Sequence, residues 1–562
     1  MTIIAPSHSY STMSFASRKS TVHGTKFAVS SSQQLATQAG MDILSKGGNA
    51  ADAAVAVAAV LAIVEPTSTG VGGDCFCLFY DAEKKKVSAL NASGRSPMAS
   101  NIDEVRQRVG PDCKFIPQDD VASIIVPGAV SGWVETIERF GSGKVSLEEI
   151  LAPAINYAEN GYPVSEFVSI AWDSQLDKLR NGSSNYRELL VNNERAPRHG
   201  ELFVNKNYGQ VLRRIAKEGK DGFYKGFVAE AIVEVVKELG GNMTLEDLAN
   251  HTPSVIEPIS YDYNGYRMYE CPPNGQGLVA LEALGIIDSM VKSGKVPKIS
   301  SIPHNSPEYA HILIEALRLA FSDGFFYIGD PEKCPDFDPN SLLTKEFLQT
   351  RSDQFNPSAR NDAIVHGYPA NQTNTVYFCT MDEQGNGCSF INSNYAGFGG
   401  AIPKGCGFTL QNRGANFSLE TDGHNLYGPG KRPYHTIIPS LITKGDDLFC
   451  VYGVMGGFMQ PQGHLQVFLN MIEYGMEPQI ALDVPRLCID PEDPKEIVHL
   501  EQGYTKETEQ KLRDMGHHVD IVTGHERSVF GRGQIIMRVP HGDKIVLSCG
   551  SDPRSDGCSS AK

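Results

Sequence analysis

Two short runs rich in β-branched and aromatic residues, joined by a tight turn, limit the possible folds of this chain more than any other stretch. The runs are Val376–Thr380 (VYFCT) and Cys388–Ser393 (CSFINS), and Glu383–Gly387 (EQGNG) lies between them. β-Branched and aromatic residues favour strands, and glycine and asparagine favour reversals, so the pattern predicts an antiparallel hairpin. Thr375 stands immediately before the first run, and a glycine-dense loop, Gly397–Gly407, follows the second.

A threonine at the beginning of such a hairpin fits the chemistry of an N-terminal nucleophile. If the bond between Asn374 and Thr375 is cut, the threonine hydroxyl lies beside its own free α-amine, which can act as its base. Position alone is not diagnostic, because threonine favours strands for ordinary steric reasons. From the spacing alone, both interpretations of Thr375 stay open.

The length and charge of the chain limit its architecture and its partners. A chain of 562 residues is too long for one ordinary core, so we expect one very large or two closely joined layers. The net charge of −16 and the lack of a basic stripe argue against nucleic acid. The longest apolar run, Ala53–Val64, is too short to span a bilayer, and the first twenty residues lack the apolar core of a signal peptide. We therefore expect neither a nucleic-acid nor a membrane partner.

The distribution of cysteine and histidine gives no strong metal signal. The twelve cysteines are dispersed and form no CxxC pair, which indicates reduced thiols in a cytoplasmic protein. His311 and Glu315 are four residues apart on a predicted helix, a spacing that could present two ligands on one face. Nothing nearby in the sequence suggests a third ligand, so the pattern favours a His–Glu helix pair. We expect no metal.

The order of the predicted elements indicates how the chain is organised. Residues 1–22 read as a polar, disordered tail, residues 23–374 as a mostly helical part, and residues 375–562 as a part rich in strands. Asn49 and Thr244, each followed three residues later by aspartate, predict helix N-termini. Predicted helices dominate the first part of the chain and predicted strands the second. This order indicates an α/β sandwich whose helices lie on the outside.

The hairpin at Thr375, together with the later segment Gly453–Gly457 (GVMGG), resembles the γ-glutamyltranspeptidase (glutathione hydrolase) family. The resemblance extends from about Gly24 to Gly557, and Gly94–Pro97 (GRSP) is shared with the glutathione-hydrolase-like branch, whose members lack a signal peptide. It implies the four-layer αββα sandwich of the N-terminal nucleophile hydrolases. It also implies self-cleavage before Thr375 into two fragments that stay associated.

The same resemblance implies roles for four residues in catalysis. Thr375 corresponds to the nucleophile, and Ser393 to the residue whose hydroxyl supports it. Gly456 and Gly457 correspond to the pair whose backbone N–H groups form the oxyanion hole, where glycine allows the main chain to approach the substrate closely. On composition alone this glycine pair would be read as a turn. No cofactor is implied, because the nucleophile, the base and the oxyanion donors all come from the chain.

The substrate-binding positions depart from those of the best-known members. They are Arg95, Tyr395, Arg413, Asn416, His435 and Thr436. Arg95 is displaced by two positions from the family's carboxylate-binding arginine, and His435-Thr436 replaces a serine pair. An asparagine at 416 removes a carboxylate partner for a substrate ammonium, worth about 1.5–3 kcal/mol, and Arg413 adds repulsion. The pocket is expected to suit an acyl group that carries a carboxylate and no free α-amine. Structural ion pairs remain the alternative for Arg95 and Arg413.

These inferences lead to one main functional expectation and two alternatives. The main expectation is a self-processing amide hydrolase or acyltransferase that acts on glutathione or related γ-glutamyl compounds, with water or an amine as acceptor. The first alternative is an amidohydrolase for a non-glutamyl acyl amide, either oxamate-like or glutaryl. The second is a non-catalytic relative that has kept the fold.

Overall fold

The structure is a computed structural model that describes residues 19–364, 374–420, 423–491, 493 and 495–562. The α-helices of the described residues are α1 Gln34–Ser45, α2 Ala50–Val64, α3 Ile102–Val109, α4 Ala129–Phe140, α5 Leu147–Asn160, α6 Glu166–Ser174, α7 Leu176–Gly182, α8 Lys206–Glu218, α9 Asp221–Tyr224, α10 Phe227–Glu238, α11 Leu245–Ala249, α12 Gly277–Lys292, α13 Pro307–Tyr327, α14 Lys345–Ser352, α15 Met459–Ile472, α16 Pro478–Asp483 and α17 Lys506–Asp514. The strands are β1 Val22–Gly24, β2 Ala28–Ser31, β3 Asp74–Asp81, β4 Lys86–Ala92, β5 Tyr162–Pro163, β6 Leu202–Phe203, β7 Ser254–Ile256, β8 Ile259–Tyr263, β9 Tyr266–Glu270, β10 Asn374–Met381, β11 Gly387–Tyr395, β12 Ser440–Lys444, β13 Asp447–Met455, β14 Leu487–Ile489, β15 Val498–Glu501, β16 Val519–Val522, β17 Arg532–His541, β18 Lys544–Ser551 and β19 Cys558–Ala561.

Two seven-stranded sheets form the centre of the molecule. Sheet I has the order β19-β2-β10-β11-β3-β4-β7, and sheet II has the order β1-β18-β17-β13-β12-β9-β8. All neighbouring strands in both sheets are antiparallel. Sheet I combines strands from both sides of Thr375, since β2, β3, β4 and β7 precede it and β10, β11 and β19 follow. Neither part of the chain can therefore complete this sheet alone.

Three buried apolar clusters separate the layers and show a four-layer sandwich. The cluster between the sheets contains Phe76 and Ile391 from sheet I and Leu441 and Ile536 from sheet II. A second cluster packs helices α1, α2, α4 and α5 against the outer face of sheet I, and every residue of α2 is buried. A third packs α12, α13 and α15 against sheet II. The expected αββα arrangement is confirmed.

Several elements begin and end where local sequence chemistry predicts. Asn49 caps α2 in a capping box with Asp52, and Thr244 does the same for α11 with Asp247. The β10–β11 hairpin predicted around Glu383–Gly387 is present, with Met381 opposite Gly387. The short helix α16, which begins at Pro478, was not predicted, because six residues are too few for a clear helical period.

The N-terminal tail and the segment before Thr375 are only partly described. Residues 1–18 of the predicted tail lie outside the described residues. Within the remainder, the Lys19 ammonium donates to the carbonyls of Asp552 (2.6 Å) and Gly557 (2.8 Å). The polar segment before Thr375 contains α14, and its residues 365–373 lie outside the described part. None of the helices in the described ranges combines the length and apolar character needed to cross a bilayer.

Candidate active site

An irregularity in the β10–β11 ladder brings Thr375 and Ser393 together. Asn374 pairs with Tyr395, but the next pair is Val376 with Asn392, so the register shifts between them. Thr375 and Ser393 face each other at this shift, and the Thr375 hydroxyl donates a hydrogen bond to Ser393 Oγ at 3.2 Å. Both side chains are completely buried. The expected contact between Thr375 and Ser393 is thus a direct hydrogen bond between their hydroxyl groups.

Arg413 contacts the same hydroxyl as Thr375. Arg413 lies in a short 3₁₀ helix, Arg413–Asn416, and its Nη2 donates to Ser393 Oγ at 3.2 Å. Its Nη1 donates to the Thr436 hydroxyl, and its Cζ lies 4.3 Å from the centre of the Tyr395 ring. Tyr395 has a φ of 77°, a left-handed conformation that is uncommon for a residue with a side chain. Arg413 is held between two hydroxyls and an aromatic face.

The charge of Arg413 is incompletely satisfied. The side chain is fully buried, and burial lowers the pKa of its guanidinium to about 10, although Tyr395 and Asp74 oppose this shift. Its hydrogen-bond acceptors are the neutral hydroxyls of Ser393 and Thr436, and its Nε has no partner among the described residues. A buried cation without a contacting anion is costly. This site therefore favours an anionic ligand group.

Asp74 connects four chain segments that surround the site. Its Oδ1 accepts hydrogen bonds from the amides of Gly94 (2.8 Å) and Gly128 (3.1 Å) and from Gln411 Nε2 (2.7 Å). Its Oδ2 lies 3.0 Å from His435 Nε2. Burial raises the pKa of Asp74 to about 7, and the nearby Arg413 opposes the rise.

His435 is held in its neutral form. Burial lowers the pKa of its imidazole well below the usual value, and the charges of Arg413 and Arg432 add to the effect. Its Nδ1 accepts from the Ile437 amide at 3.4 Å, so the ring proton belongs on Nε2, where it donates to Asp74. His435 contacts the site through Asp74, whereas the neighbouring Thr436 contacts Arg413 directly.

Gly456 and Gly457 connect β13 to the beginning of α15. Their φ angles are 137° and 59°, both in the region that glycine adopts easily. Neither amide N–H donates to a partner within the described ranges. The Gly457 carbonyl accepts from Gln276 Nε2 at 2.8 Å, which fixes the peptide. Free amides at a helix N-terminus suit a developing negative charge. Their role as an oxyanion hole stays a prediction.

Arg532 is a site residue that the sequence analysis did not identify. Its Nη2 donates to the Thr375 carbonyl at 3.4 Å, and its Nη1 lies 3.3 Å from Glu65 Oε2. Its Cζ also lies 4.7 Å from the centre of the Phe167 ring. Burial raises the pKa of Glu65, and the Arg532 charge opposes that rise. The only signal near Arg532 is its position between Gly531 and Gly533, which does not indicate where its side chain lies.

Two predicted substrate-binding residues make other contacts. Arg95 Nη2 lies 2.8 Å from Glu332 Oε1, and Nη1 donates to the Thr252 carbonyl at 3.1 Å. These contacts correspond to the ion-pair alternative considered for Arg95. The Asn416 amide donates to the Tyr434 carbonyl at 3.0 Å, and its Oδ1 has no partner among the described residues. The structure thus brings Tyr395, Arg413 and Thr436 to Ser393, while Arg95 forms hydrogen bonds elsewhere.

The helix pair His311 and Glu315 meets a third group, His517, that the spacing could not indicate. One potential ligand atom from each residue lies within 4.8 Å of the others, and all three side chains are buried. Several of the potential ligand atoms already make hydrogen bonds. His311 Nδ1 lies 2.8 Å from His517 Nε2, and Glu315 accepts from Arg318 at 2.8 Å and from the Asn361 amide at 2.9 Å. His311 and Glu315 therefore bond to other groups, and no hydrogen bond joins the predicted His–Glu pair among the described residues.

The fold and the geometry around Thr375 define a class of protein. Two antiparallel sheets between helical layers, with a threonine at the start of a central strand, are the architecture of an N-terminal nucleophile hydrolase. The chain matches the gamma-glutamyltranspeptidase family over residues 36–561, and it belongs to that family. It is an enzyme of the amide hydrolase and acyltransferase type.

Three similar proteins differ in the substrates that their names specify. The chain is 36% identical to the glutathione hydrolase-like YwrD proenzyme of Bacillus subtilis, covering 95% of this chain and 98% of that one. It is 33% identical to the oxamate amidohydrolase proenzyme of Klebsiella pneumoniae, covering 93% and 96%. The solved structure of a cephalosporin acylase from Bacillus halodurans is 40% identical, with a TM-score of 0.88 and 98% coverage of both chains. The family is thus shown, and the acyl group is a separate question.

Proposed function

We propose that this chain is a precursor that cuts itself between Asn374 and Thr375, and that the new N-terminal threonine hydrolyses or transfers the acyl group of an amide. The observation that carries the proposal is the hydrogen bond between Thr375 and Ser393. The glycine pair follows β13, a strand that packs against the strand of Thr375, and its amides have no partner among the described residues. Two relatives are named as proenzymes, which supports cleavage. Because sheet I contains strands from both fragments, the fragments stay associated.

The chemistry follows from the groups around Thr375. The α-amine takes the hydroxyl proton as Thr375 Oγ attacks the amide carbonyl carbon, and a C–O bond forms. The amides of Gly456 and Gly457 stabilise the resulting oxyanion. When the intermediate collapses, the C–N bond breaks and the leaving amine takes the proton from the α-ammonium. Water or an amine then attacks the ester, and the threonine is restored.

The acyl group that fits this site carries a carboxylate close to the scissile carbonyl. Thr375 Oγ1 and Arg413 Nη2 each lie 3.2 Å from Ser393 Oγ, so an acyl group on Thr375 lies within reach of the guanidinium. Arg413 contacts no anion among the described residues, and a substrate carboxylate would supply one. Oxamate-like and glutaryl amides have this group and no α-ammonium. The oxamate amidohydrolase relative supports this choice.

A γ-glutamyl amide is the second candidate. It also carries a carboxylate, and the relative named as glutathione hydrolase-like supports it. Its α-ammonium lies next to the carboxylate and would therefore lie close to Arg413. The side-chain amide of Asn416 already donates to Tyr434, and a neutral amide oxygen holds an ammonium less strongly than a carboxylate does. We therefore place γ-glutamyl amides second.

The cleavage and the nucleophile are tested with one pair of variants. Purified protein should give two fragments, the smaller with Thr375 as its first residue by N-terminal sequencing. Thr375→Ala should remain one inactive chain, because it lacks the attacking hydroxyl. Thr375→Ser keeps the hydroxyl and should still be cleaved. Cleavage or amide turnover by Thr375→Ala would overturn the proposal.

The acyl group is tested with two anilides that differ only in the α-ammonium. Glutaryl anilide and γ-glutamyl anilide have the same chain length, carboxylate and leaving group. A higher kcat/KM for glutaryl anilide supports the first candidate, and a higher kcat/KM for γ-glutamyl anilide supports the second. An N-aryl oxamate, measured beside them, shows whether the enzyme prefers a shorter acyl chain.

A further inference from the structure

A groove of about 620 Å³ begins beside the candidate active site and runs outward. Its inner end is lined by Gly456 and Arg532, one wall by Phe167 and Ile170 of α6, and the outer end by Asp520 and Glu526. Gly456 and Arg532 connect it to the reaction centre, because Arg532 donates to the Thr375 carbonyl and Gly456 carries one of the free amides. The groove therefore adjoins the position of the scissile bond.

The two sides of Thr375 are lined by different residues. Ser393, Arg413 and Thr436 form the buried side, and none of them lines the groove. We propose that the groove binds the amine half of the amide substrate, and the incoming amine in transfer, while Arg413 binds the acyl half. This inference rests on the proposed function and adds the chemistry of the leaving group to it.

The groove has an apolar surface near the nucleophile. Phe167, Ile170, Met459 and Val529 contribute to its lining. Ile170 is 44% exposed in the absence of a ligand. A ligand bound in the groove would cover this aliphatic side chain. Filling the groove with an aromatic or branched amine removes this surface from water. A leaving group as small as ammonia cannot use these contacts.

The charges of the groove are negative beyond this apolar surface. Arg532 is paired with Glu65, so its charge is largely countered. At the outer end Asp520 and Glu526 are exposed, and His499 Nδ1 lies 3.8 Å from Asp520 Oδ2. The groove therefore favours an apolar amine with a cationic far end and disfavours one that ends in a carboxylate.

Four amides of one acyl group test this inference. They are the primary amide, the anilide, the 4-(aminomethyl)anilide and the 4-(carboxymethyl)anilide, in which a methylene insulates the amide from the charged group. We expect kcat/KM to be higher for the cationic anilide than for the anionic one by about threefold to tenfold. The difference should shrink at high salt, because the charges lie at the surface.

Substitutions at two exposed groove residues, each with a matched control outside the groove, test whether the groove causes the preference among amines. Glu526→Lys should reverse or abolish the preference between the two charged anilides, whereas Glu230→Lys, on α10 and outside the groove, should not. Ile170→Ser should lower kcat/KM for all three anilides but not for the primary amide. Leu202→Ser, which is also exposed and outside the groove, should leave all four unchanged.

The two proposals fail in different ways. If neither the primary amide nor any anilide is hydrolysed and the chain stays uncut, the proposed function fails. If the amides are hydrolysed but Glu526→Lys and Ile170→Ser behave like their controls, the groove does not bind the amine half and this inference is overturned. Changes confined to the two groove variants, with the primary amide unaffected, support it.

Discussion

Asp74 Oδ2 lies 3.0 Å from His435 Nε2, and both side chains are completely buried. Asp74 is also directly opposite Ser393 on the neighbouring strand, so its carboxyl group connects a residue paired with Ser393 to the segment that contains His435 and Thr436. Its other oxygen holds the Gly94, Gly128 and Gln411 segments. A single carboxyl group thus positions several parts of the site without touching Thr375 through a hydrogen bond.

We predict that Asp74→Asn changes the pH dependence of stability. Burial raises the pKa of Asp74 to about 7 in the folded protein, from 3.8. Between these values the folded state keeps a proton that the unfolded state releases, so this group's contribution to stability decreases as the pH rises from about 4 to 7. Asparagine does not titrate and should also cost about 1–3 kcal/mol at all pH values, because one hydrogen-bond acceptor becomes a donor.

The measurement is the Tm of wild type and Asp74→Asn at several pH values between 5 and 8. Asp74→Asn should be the less stable protein, and its deficit should be largest at pH 5 and decrease toward pH 8. A deficit that stays constant over this range would show that the carboxyl group does not titrate there.

We predict that Arg413→Gln selectively weakens the use of anionic acyl groups. Loss of a charge-assisted hydrogen bond costs about 1.5–3 kcal/mol, or about one to two factors of ten in kcat/KM. Arg413→Lys keeps the positive charge but loses the forked guanidinium that reaches the hydroxyls of both Ser393 and Thr436. It should therefore retain part of the activity. The assay compares a glutaryl amide with a butyryl amide of the same amine. An equal loss for both amides would show that Arg413 has a structural role only.

We predict that Gly457→Ala lowers kcat by about tenfold or more, because the added methyl group disturbs the backbone of a proposed oxyanion donor. The substitution also costs about 1–2 kcal/mol of stability, since φ is 59°. Gly475→Ala is the matched control, with a φ of 62° and open space around a new Cβ. Both variants should lose similar stability in thermal unfolding, and only Gly457→Ala should lose kcat. A parallel loss of kcat would indicate a general backbone effect.

We predict that Arg532 and Glu65 are strongly coupled in their contributions to the free energy of unfolding. Their side chains are nearly inaccessible to solvent, so Arg532→Met alone leaves a buried carboxylate and should cost about 3–5 kcal/mol. Glu65→Gln in the same chain should recover much of that loss. Urea unfolding in a Thr375→Ala background keeps the chain in one piece during the measurement. If the double variant is no more stable than Arg532→Met, the pair is not an isolated electrostatic unit.

The local features of this protein could be predicted from short stretches of sequence. The β10–β11 hairpin, the capping boxes at Asn49 and Thr244 and the strand of Thr375 depend on residues close together in the chain, where local sterics and hydrogen bonds decide the conformation. Candidate roles for Thr375, Ser393 and the glycine pair came from the family resemblance.

The sequence by itself therefore determined the fold class, the position of the candidate nucleophile and the family. The fold class follows from the local pattern of helices and strands, and the nucleophile and the family follow from contiguous motifs. Only the tertiary structure decided that Arg532 reaches Thr375 and that Asp74 holds His435. It also decided that Arg413 is a buried cation with no contacting anion in the part of the chain that the structure describes. The partners in the first two contacts are separated by 157 and 361 residues. Such contacts arise when two sheets pack face to face, and no local pattern encodes which side chains then meet.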